Sequence, residues 1–257
     1  HIFTLFRIID QSPTLKKANS EWYQENLNWA IKNVWDRYEN QGMQNFIYRE
    51  NPYMTSHWGR IAMELYIITK QQKYLDVFEN ISYKGIPTPL QNGQSIRNRF
   101  KTNSAKATAL DFSPNWTRTA TETTDCGHFA DIVTFISNAI ENRMYWHTQM
   151  EYVVPGIIST YQDVVWDNRP NMTGSGFLDG TSDEELYAGY GRTAISQGAQ
   201  VNFGRFDENF QELLEKYYTP SADTFNKVML AGILLNNRVI LNNGKPAYPE
   251  TYFYSEK

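Results

Sequence analysis

Cysteine is nearly missing from this chain. Cys126 is the only one in 257 residues, so an intrachain disulfide and a cysteine-type structural zinc site are both excluded. Long apolar runs are missing too, and none approaches the roughly 20 residues of a membrane span. Basic charge is not in excess. The net charge is −4, against the basic surface that general nucleic-acid binding needs, so no nucleic-acid partner is expected. There is no HExxH and no close histidine pair, so neither a metal nor a cofactor is expected. Strict apolar–polar alternation is scarce, which argues against an all-β fold. No low-complexity segment or interdomain linker stands out. The opening, His1 to Ile9, lacks the n-region and cleavage site of a signal peptide. It reads as an amphipathic helix already in progress, as though the chain began inside a helical repeat.

What is present points to a globular chain with a sizeable core. Hydrophobic residues make up 41% and charged residues 20%, which excludes general disorder. Aromatic residues reach 15%, including 17 tyrosines. Such rings fill cores, and Trp and Tyr also stack on the C–H faces of sugars. A mildly negative exterior does not exclude an acidic substrate, because arginines clustered in a cleft can dominate the local field.

Helical periodicity dominates. Ser20 is placed to cap a helix from Glu21 to about Asn40, with Trp22, Leu27, Ile31, Val34 and Trp35 at core spacing. Ser56 is placed to cap the next, with Ile61, Leu65 and Ile68 as its stripe. A turn at Lys70 to Lys73 and a helix from Tyr74 to Ile81 complete an αα-hairpin. Residues 84–124 are rich in Pro, Asn, Ser and Thr and read as a long functional loop. Helices follow from Gly127 to about Trp146 and from Gln149 to Val165. After an irregular stretch from Trp166 to Leu186, further helices are expected over Tyr190 to Gly204, Glu208 to Tyr217 capped by Asp207, and Ala222 to Asn236 capped by Ser221. These amount to roughly seven or eight helices in antiparallel pairs, with marked helix starts about 60–70 residues apart. The expected fold is all-α, built of antiparallel helix-pair repeats that close into an incomplete (α/α) toroid.

Three segments share a layout in which a polar stretch enters an apolar helix with an ionisable or aromatic polar group. They are Thr55-Ser56-His57-Trp58-Gly59-Arg60, Thr124-Asp125-Cys126-Gly127-His128 and Gly189-Tyr190-Gly191-Arg192. Convergence of these three starts on one cleft is the central expectation. Cys126 lies two residues from His128, a spacing that puts side chains on different helix faces. No nucleophilic role is expected for it.

The run Gly176-Phe177-Leu178-Asp179-Gly180, then Gly189-Tyr190-Gly191-Arg192, then Asn202-Phe203-Gly204-Arg205-Phe206-Asp207 resembles the C-terminal part of (α/α)-toroid polysaccharide lyases. Asp125-Cys126-Gly127-His128 is similar to their Asp-x-x-His helix start, and Ser56-His57-Trp58-Gly59 to their earlier repeat. Within that family the chain resembles alginate and glucuronan lyases of the toroid type. The resemblance covers most of the chain after about residue 50 and implies one toroid-like catalytic domain over residues 1–257. The chain is shorter than a full toroid lyase, which implies missing N-terminal repeats or a partial barrel. It also implies β-elimination on an acidic, uronate-containing polysaccharide, in the periplasm or after secretion, with no metal.

That chemistry needs a base for the C5 proton, an acid for the leaving oxygen and a group to neutralise the carboxylate. His128 is the expected base, oriented by Asp125, because histidine exchanges protons near neutral pH. Tyr190 is the expected acid. Asn115 or Arg60 is expected to meet the carboxylate. His57, Trp58, Trp116, Arg118, Tyr187 and Arg192 are expected to bind substrate, the arginines because their forked donors match a carboxylate. Asn115-Trp116-Thr117 also reads as a turn or a glycosylation sequon. His147, beside Trp146, reads as structural. Two other functions fit the same residues. A glycoside hydrolase would pair two acids from Asp125, Asp131, Asp179, Asp183, Glu184 and Glu185. A non-catalytic glycan-binding protein would keep the aromatics and arginines without an acid–base pair.

Overall fold

The structure is a computed structural model that describes residues 1–39, 47–49, 51–88, 93–113, 123–142, 144, 153–166, 174–181, 199–217 and 230–236. Of the described residues 72% are helical and 6% are in strands, which makes the chain mostly α. The chain divides into two compact units, His1–Ser95 and Ile96–Lys257.

The first unit is helical throughout its described elements. Helix α1 (Ile2–Gln11) buries Phe3, Phe6 and Ile9, the three-residue stripe of an amphipathic helix. Arg7, on its flank, pairs with Glu64 of α5 (Pro52–Thr69) at 2.5 Å. Helix α2 (Pro13–Ala18) starts on Ser12, whose hydroxyl accepts the Leu15 N–H, with Pro13 preset for the first turn. Helix α3 (Ser20–Ala30) begins on Asn19, one residue before the expected cap. It does not continue to residue 40 as an α-helix. A π-helical stretch, Ile31–Asp36, takes over, followed by one α turn, α4 (Arg37–Glu39). With this wider turn Trp35 is completely buried, whereas Trp22, expected in the core, is 47% exposed.

Helix α5 starts at Pro52, four residues before the cap expected at Ser56. The fixed φ of proline suits the first helical position and needs no donor there. Ser56 is instead fully buried inside the helix, with its hydroxyl donating back to the Tyr53 carbonyl at 2.6 Å. Lys70 ends α5 in the left-handed conformation, φ +57°. Helix α6 (Gln72–Glu79) folds back on α5 across Lys70-Gln71 and completes the expected αα-hairpin. A second π-helical stretch, Asn80–Lys84, follows it. Trp35 packs edge-on to Tyr74 with ring centres 4.9 Å apart, and Trp58 leans on Tyr38 at 5.3 Å.

The second unit holds a β-hairpin inside the segment expected to be an irregular loop. Strand β1 (Phe100–Thr102) pairs antiparallel with β2 (Leu110–Phe112), in the register Phe100–Phe112, Lys101–Asp111, Thr102–Leu110. The bonds from Asn103 N–H to Ala109 and from Ser113 N–H to Arg99 flank the pair. The antiparallel alternation therefore turns the amides of Leu110 and Phe112 away from β1. Side chains meet them there. The Thr160 hydroxyl accepts the Leu110 N–H at 2.9 Å and donates to the Leu110 carbonyl at 2.5 Å. Asp111 accepts the Phe112 N–H at 2.7 Å, and Thr124 donates to the Phe112 carbonyl at 2.6 Å.

Helix α7 (Cys126–Glu141) is the best-formed element here, starting one residue before the expected position and ending five before. Its Phe129 stacks between Phe112 and Tyr161, at 5.5 and 6.3 Å. Helix α8 (Val153–Ser159) ends in a third π-helical stretch, Thr160–Val165. Gly156 lets α8 approach the hairpin, since a Cβ there would lie 2.5 Å from Leu110 Cγ. A 3₁₀ turn (Ala199–Arg205) leads to α9 (Glu208–Tyr217), which Asp207 caps as expected by accepting the Phe210 N–H at 2.8 Å. Residues 230–236 are helical, and Asn236 among them binds the Val201 carbonyl and Gln211. Of the helices expected from Tyr190 and from Ala222, residues 190–198 and 222–229 lie outside the described residues.

Candidate active site

Asp125 precedes α7 with extended backbone, the conformation of a helix cap. Its Oδ1 accepts the backbone N–H of His128 at 3.0 Å, and its Oδ2 meets His128 Nδ1 at 2.5 Å. A carboxylate only accepts, so the proton of this bond sits on Nδ1. A neutral imidazole held this way presents Nε2 as its lone-pair nitrogen. The His128 side chain is 53% exposed, so a solute can reach it.

A strap from the irregular region holds this helix start in place. Cys126 N–H donates to the Gly176 carbonyl at 2.9 Å, and Leu178 N–H to the Thr124 carbonyl at 3.1 Å. The Asn103 side chain in turn donates to the Leu178 carbonyl at 2.7 Å. Thr123 ties the approach to the hairpin by donating to Asp111 at 2.6 Å. Hairpin, strap and helix thus form one hydrogen-bonded frame around Asp125.

Behind the exposed dyad the frame is apolar. Burial, with Asp125, Asp179 and Asp111 adding to it, pushes the Cys126 thiol well above its ordinary range. A protonated, buried thiol is a poor nucleophile. Burial likewise raises the Tyr161 phenol, with Cys126 and Asp125 contributing.

Several other acids of this unit are engaged by neighbouring groups. Asp111 takes Phe112, Thr123 and, at 3.3 Å, Lys101. Asp179 accepts both the N–H and the hydroxyl of Thr181 across the turn at Gly180, whose φ is +89°. Asp163 pairs with Lys106 at 2.9 Å, and Glu141 with Arg205. Asp131 lies on α7, half-buried.

The proposed equivalence of the three helix starts does not hold for the first two. His128 is the third residue of its helix, one turn inside a cap that binds its ring. His57 is the sixth residue of α5, because Pro52 starts that helix. His57 is exposed, and Arg60 follows it by three residues on the same helix face. Trp58 is half-buried between Trp35, at 6.1 Å, and Tyr38. These three belong to the first unit and His128 to the second. Tyr190, Asn115, Trp116, Arg118, Tyr187 and Arg192 lie outside the described residues, as do Asp183, Glu184, Glu185 and His147.

Searches of family models, curated proteins and solved structures with this chain find no match.

Sequence reasoning missed Lys101, Asp111 and the strap contacts of Asn103. The signals were faint: Phe100-Lys101-Thr102 and Leu110-Asp111-Phe112 each show one alternation, too short to separate from loop.

Proposed function

We propose that the protein is a polysaccharide lyase cleaving an acidic, uronate-containing glycan of the alginate or glucuronan type by β-elimination. The observation that carries this reading is the Asp125–His128 pair, an accessible imidazole with its ring held by a carboxylate at 2.5 Å. In the reaction His128 Nε2 takes the C5 proton of a uronate. The electron pair forms the C4=C5 double bond, and the C4–O bond breaks. A proton from an acid, for which Tyr190 is the candidate, goes to the departing oxygen. Asn115 would neutralise the carboxylate, and Trp116, Arg118, Tyr187 and Arg192 would bind the chain. No water enters and no electron acceptor is needed. The resemblance of the Asp-x-x-His helix start to toroid lyases supports the same class, with action in the periplasm or after secretion. An incomplete (α/α) toroid over residues 1–257 belongs to this proposal.

A carboxylate-pair hydrolase is less well supported. Among its described candidates, Asp179 is engaged by Thr181 and Asp125 by His128, while Asp183, Glu184 and Glu185 lie outside the described residues. A retaining or inverting hydrolase needs two carboxyl groups facing the sugar.

The test is a panel of alginate, polyglucuronate, hyaluronan and pectate, followed by ultraviolet absorbance of unsaturated product. Product that vanishes in His128→Ala supports the proposal. New reducing ends without absorbance would assign a hydrolase, and binding without turnover a glycan-binding protein.

A further inference from the structure

Two tryptophans of the first unit face solvent from one side of α3: Trp22 is 47% exposed and Trp29 59%. They are seven residues apart, which on an α-helix is two turns, about 10.5 Å along the axis and about 20° out of line. The buried face of Tyr23, Leu27 and Ala30 points elsewhere. We propose that this stripe of α3 binds an extended, uncharged β-1,4-linked pyranose chain, with two of its sugars stacked on the two indoles. In such a chain alternate sugars present the same face, and a disaccharide repeat spans about the distance between the tryptophans.

The stripe repeats an aromatic–amide pair. Asn26 follows Trp22 by four residues and Asn33 follows Trp29 by four, and each donates a side-chain N–H back to the carbonyl of its tryptophan at 2.8 Å. Each amide is thereby held on the stripe, with its second N–H and its oxygen left for sugar hydroxyls. An indole takes the apolar C–H face of a sugar, and an amide beside it takes the polar edge. Phe6 of α1 meets the Trp22 ring at 6.1 Å. That contact sets the ring before any ligand arrives, which lowers the ordering cost of binding.

Charge along the flank selects the kind of chain. Glu25 and Lys32 follow Trp22 and Trp29 by three residues, and Glu21 lies one turn before Glu25 on the same side; all three are exposed. Two carboxylates against one ammonium oppose a polyanion, so a neutral chain fits this face better than a uronate polymer. A second protein molecule fits less well. Two half-exposed indoles offer on the order of 250 Å², against the roughly 800 Å² that each partner buries in a standard protein interface. Binding here neither requires nor excludes the reaction proposed at His128.

The full chain is titrated by NMR with cellohexaose, mannohexaose and chitohexaose, the disaccharide of each, the α-1,4-linked maltohexaose and an oligoglucuronate of the same length. At least one β-1,4 hexaose should bind about tenfold more tightly than its own disaccharide, which reaches only one indole, and than maltohexaose or the oligoglucuronate. The indole N–H signals of both Trp22 and Trp29 should shift. Trp29→Ala should weaken binding about tenfold, and its fold should survive because Trp29 is the more exposed of the two. If Trp29→Ala does not fold, the indole shifts decide. Trp29→Ala combined with Asn28→Trp keeps the number of indoles but sets one about 100° off the stripe, and should not restore binding. No binding of any β-1,4 hexaose, equal binding of a disaccharide, maltohexaose or the oligoglucuronate, unmoved indole signals, unchanged affinity in Trp29→Ala, or recovery in the double variant would overturn the proposal. So would dimerisation in the ultracentrifuge that Trp29→Ala abolishes, which would assign the stripe to a second copy. Because the readout is equilibrium binding, the result is independent of any lyase activity.

Discussion

Asp125 grips His128 at two points, taking its backbone N–H on one oxygen and its imidazole on the other. The same carboxylate therefore ends the helix and aims the ring. Mutation can separate those two roles.

Asp125→Asn keeps a good cap, since asparagine caps about as well as aspartate. It replaces the carboxylate facing Nδ1 with an amide that can also donate, and so loosens the choice of tautomer. Turnover of a uronate polymer should fall about 10²-fold or more, the scale of general acid–base catalysis. Melting temperature should stay near wild type. Full activity in Asp125→Asn would remove the dyad from the mechanism.

Asp125→Ala loses the cap as well. It should be less stable than Asp125→Asn by about 1 kcal/mol, measured by urea unfolding. Equal stability of the two variants would mean that the Oδ1 bond to the His128 N–H contributes nothing.

Stability should fall in alkali earlier than surface tyrosines alone would cause. Burial holds Cys126 and Tyr161 protonated beyond their ordinary values of 9.0 and 10.0. The unfolded chain releases these protons at those values, so above them the folded state binds more protons and loses stability as pH rises. Below about pH 9 the stability is intact, and above it each such proton steepens the loss by about 1.4 kcal/mol per pH unit. Cys126→Ala should move the onset up toward pH 10. An unchanged onset in that variant would contradict the assignment.

Gly156→Ala should destabilise by about 1–3 kcal/mol, because the added methyl meets Leu110. Leu110→Ala should also destabilise, through a cavity. The double variant should cost less than the two singles together, since the smaller side chain makes room for the methyl. Strict additivity in a double-mutant cycle would show that α8 and the hairpin do not press on each other there.

How far the fold was legible depended on whether local chemistry had a rival. Asp207 stood alone before an apolar run and caps the helix expected of it, whereas Asp125, expected only to orient His128, proves also to cap α7. Ser56 had a rival in Pro52, which starts its helix four residues earlier and carries His57 into the second turn. The stripe Phe3, Phe6, Ile9 was readable because its period is helical. Trp22 was misread because it lies five residues before Leu27, about 140° round an α-helix from it and off the buried face of Tyr23, Leu27 and Ala30. The hairpin was hidden because each strand is three residues long. In the candidate site, the Asp125–His128 pair was readable from its spacing. The strap that holds it was not, since Gly176 and Leu178 lie some fifty residues from the groups they bind.

The outer edge of β2 has a consequence for self-association. A short ribbon with free N–H and C=O groups along one side is a template on which a strand of another molecule can add. Here Leu110 and Phe112 present four such groups, and Thr160, Asp111 and Thr124 occupy all of them. Threonine hydroxyls thus do for this edge what lysine or proline does elsewhere. Thr160→Val keeps the shape of the side chain but strips the hydroxyl from Leu110. The damage would then surface as intermolecular β-pairing at high concentration, in a protein whose own helices remain in place.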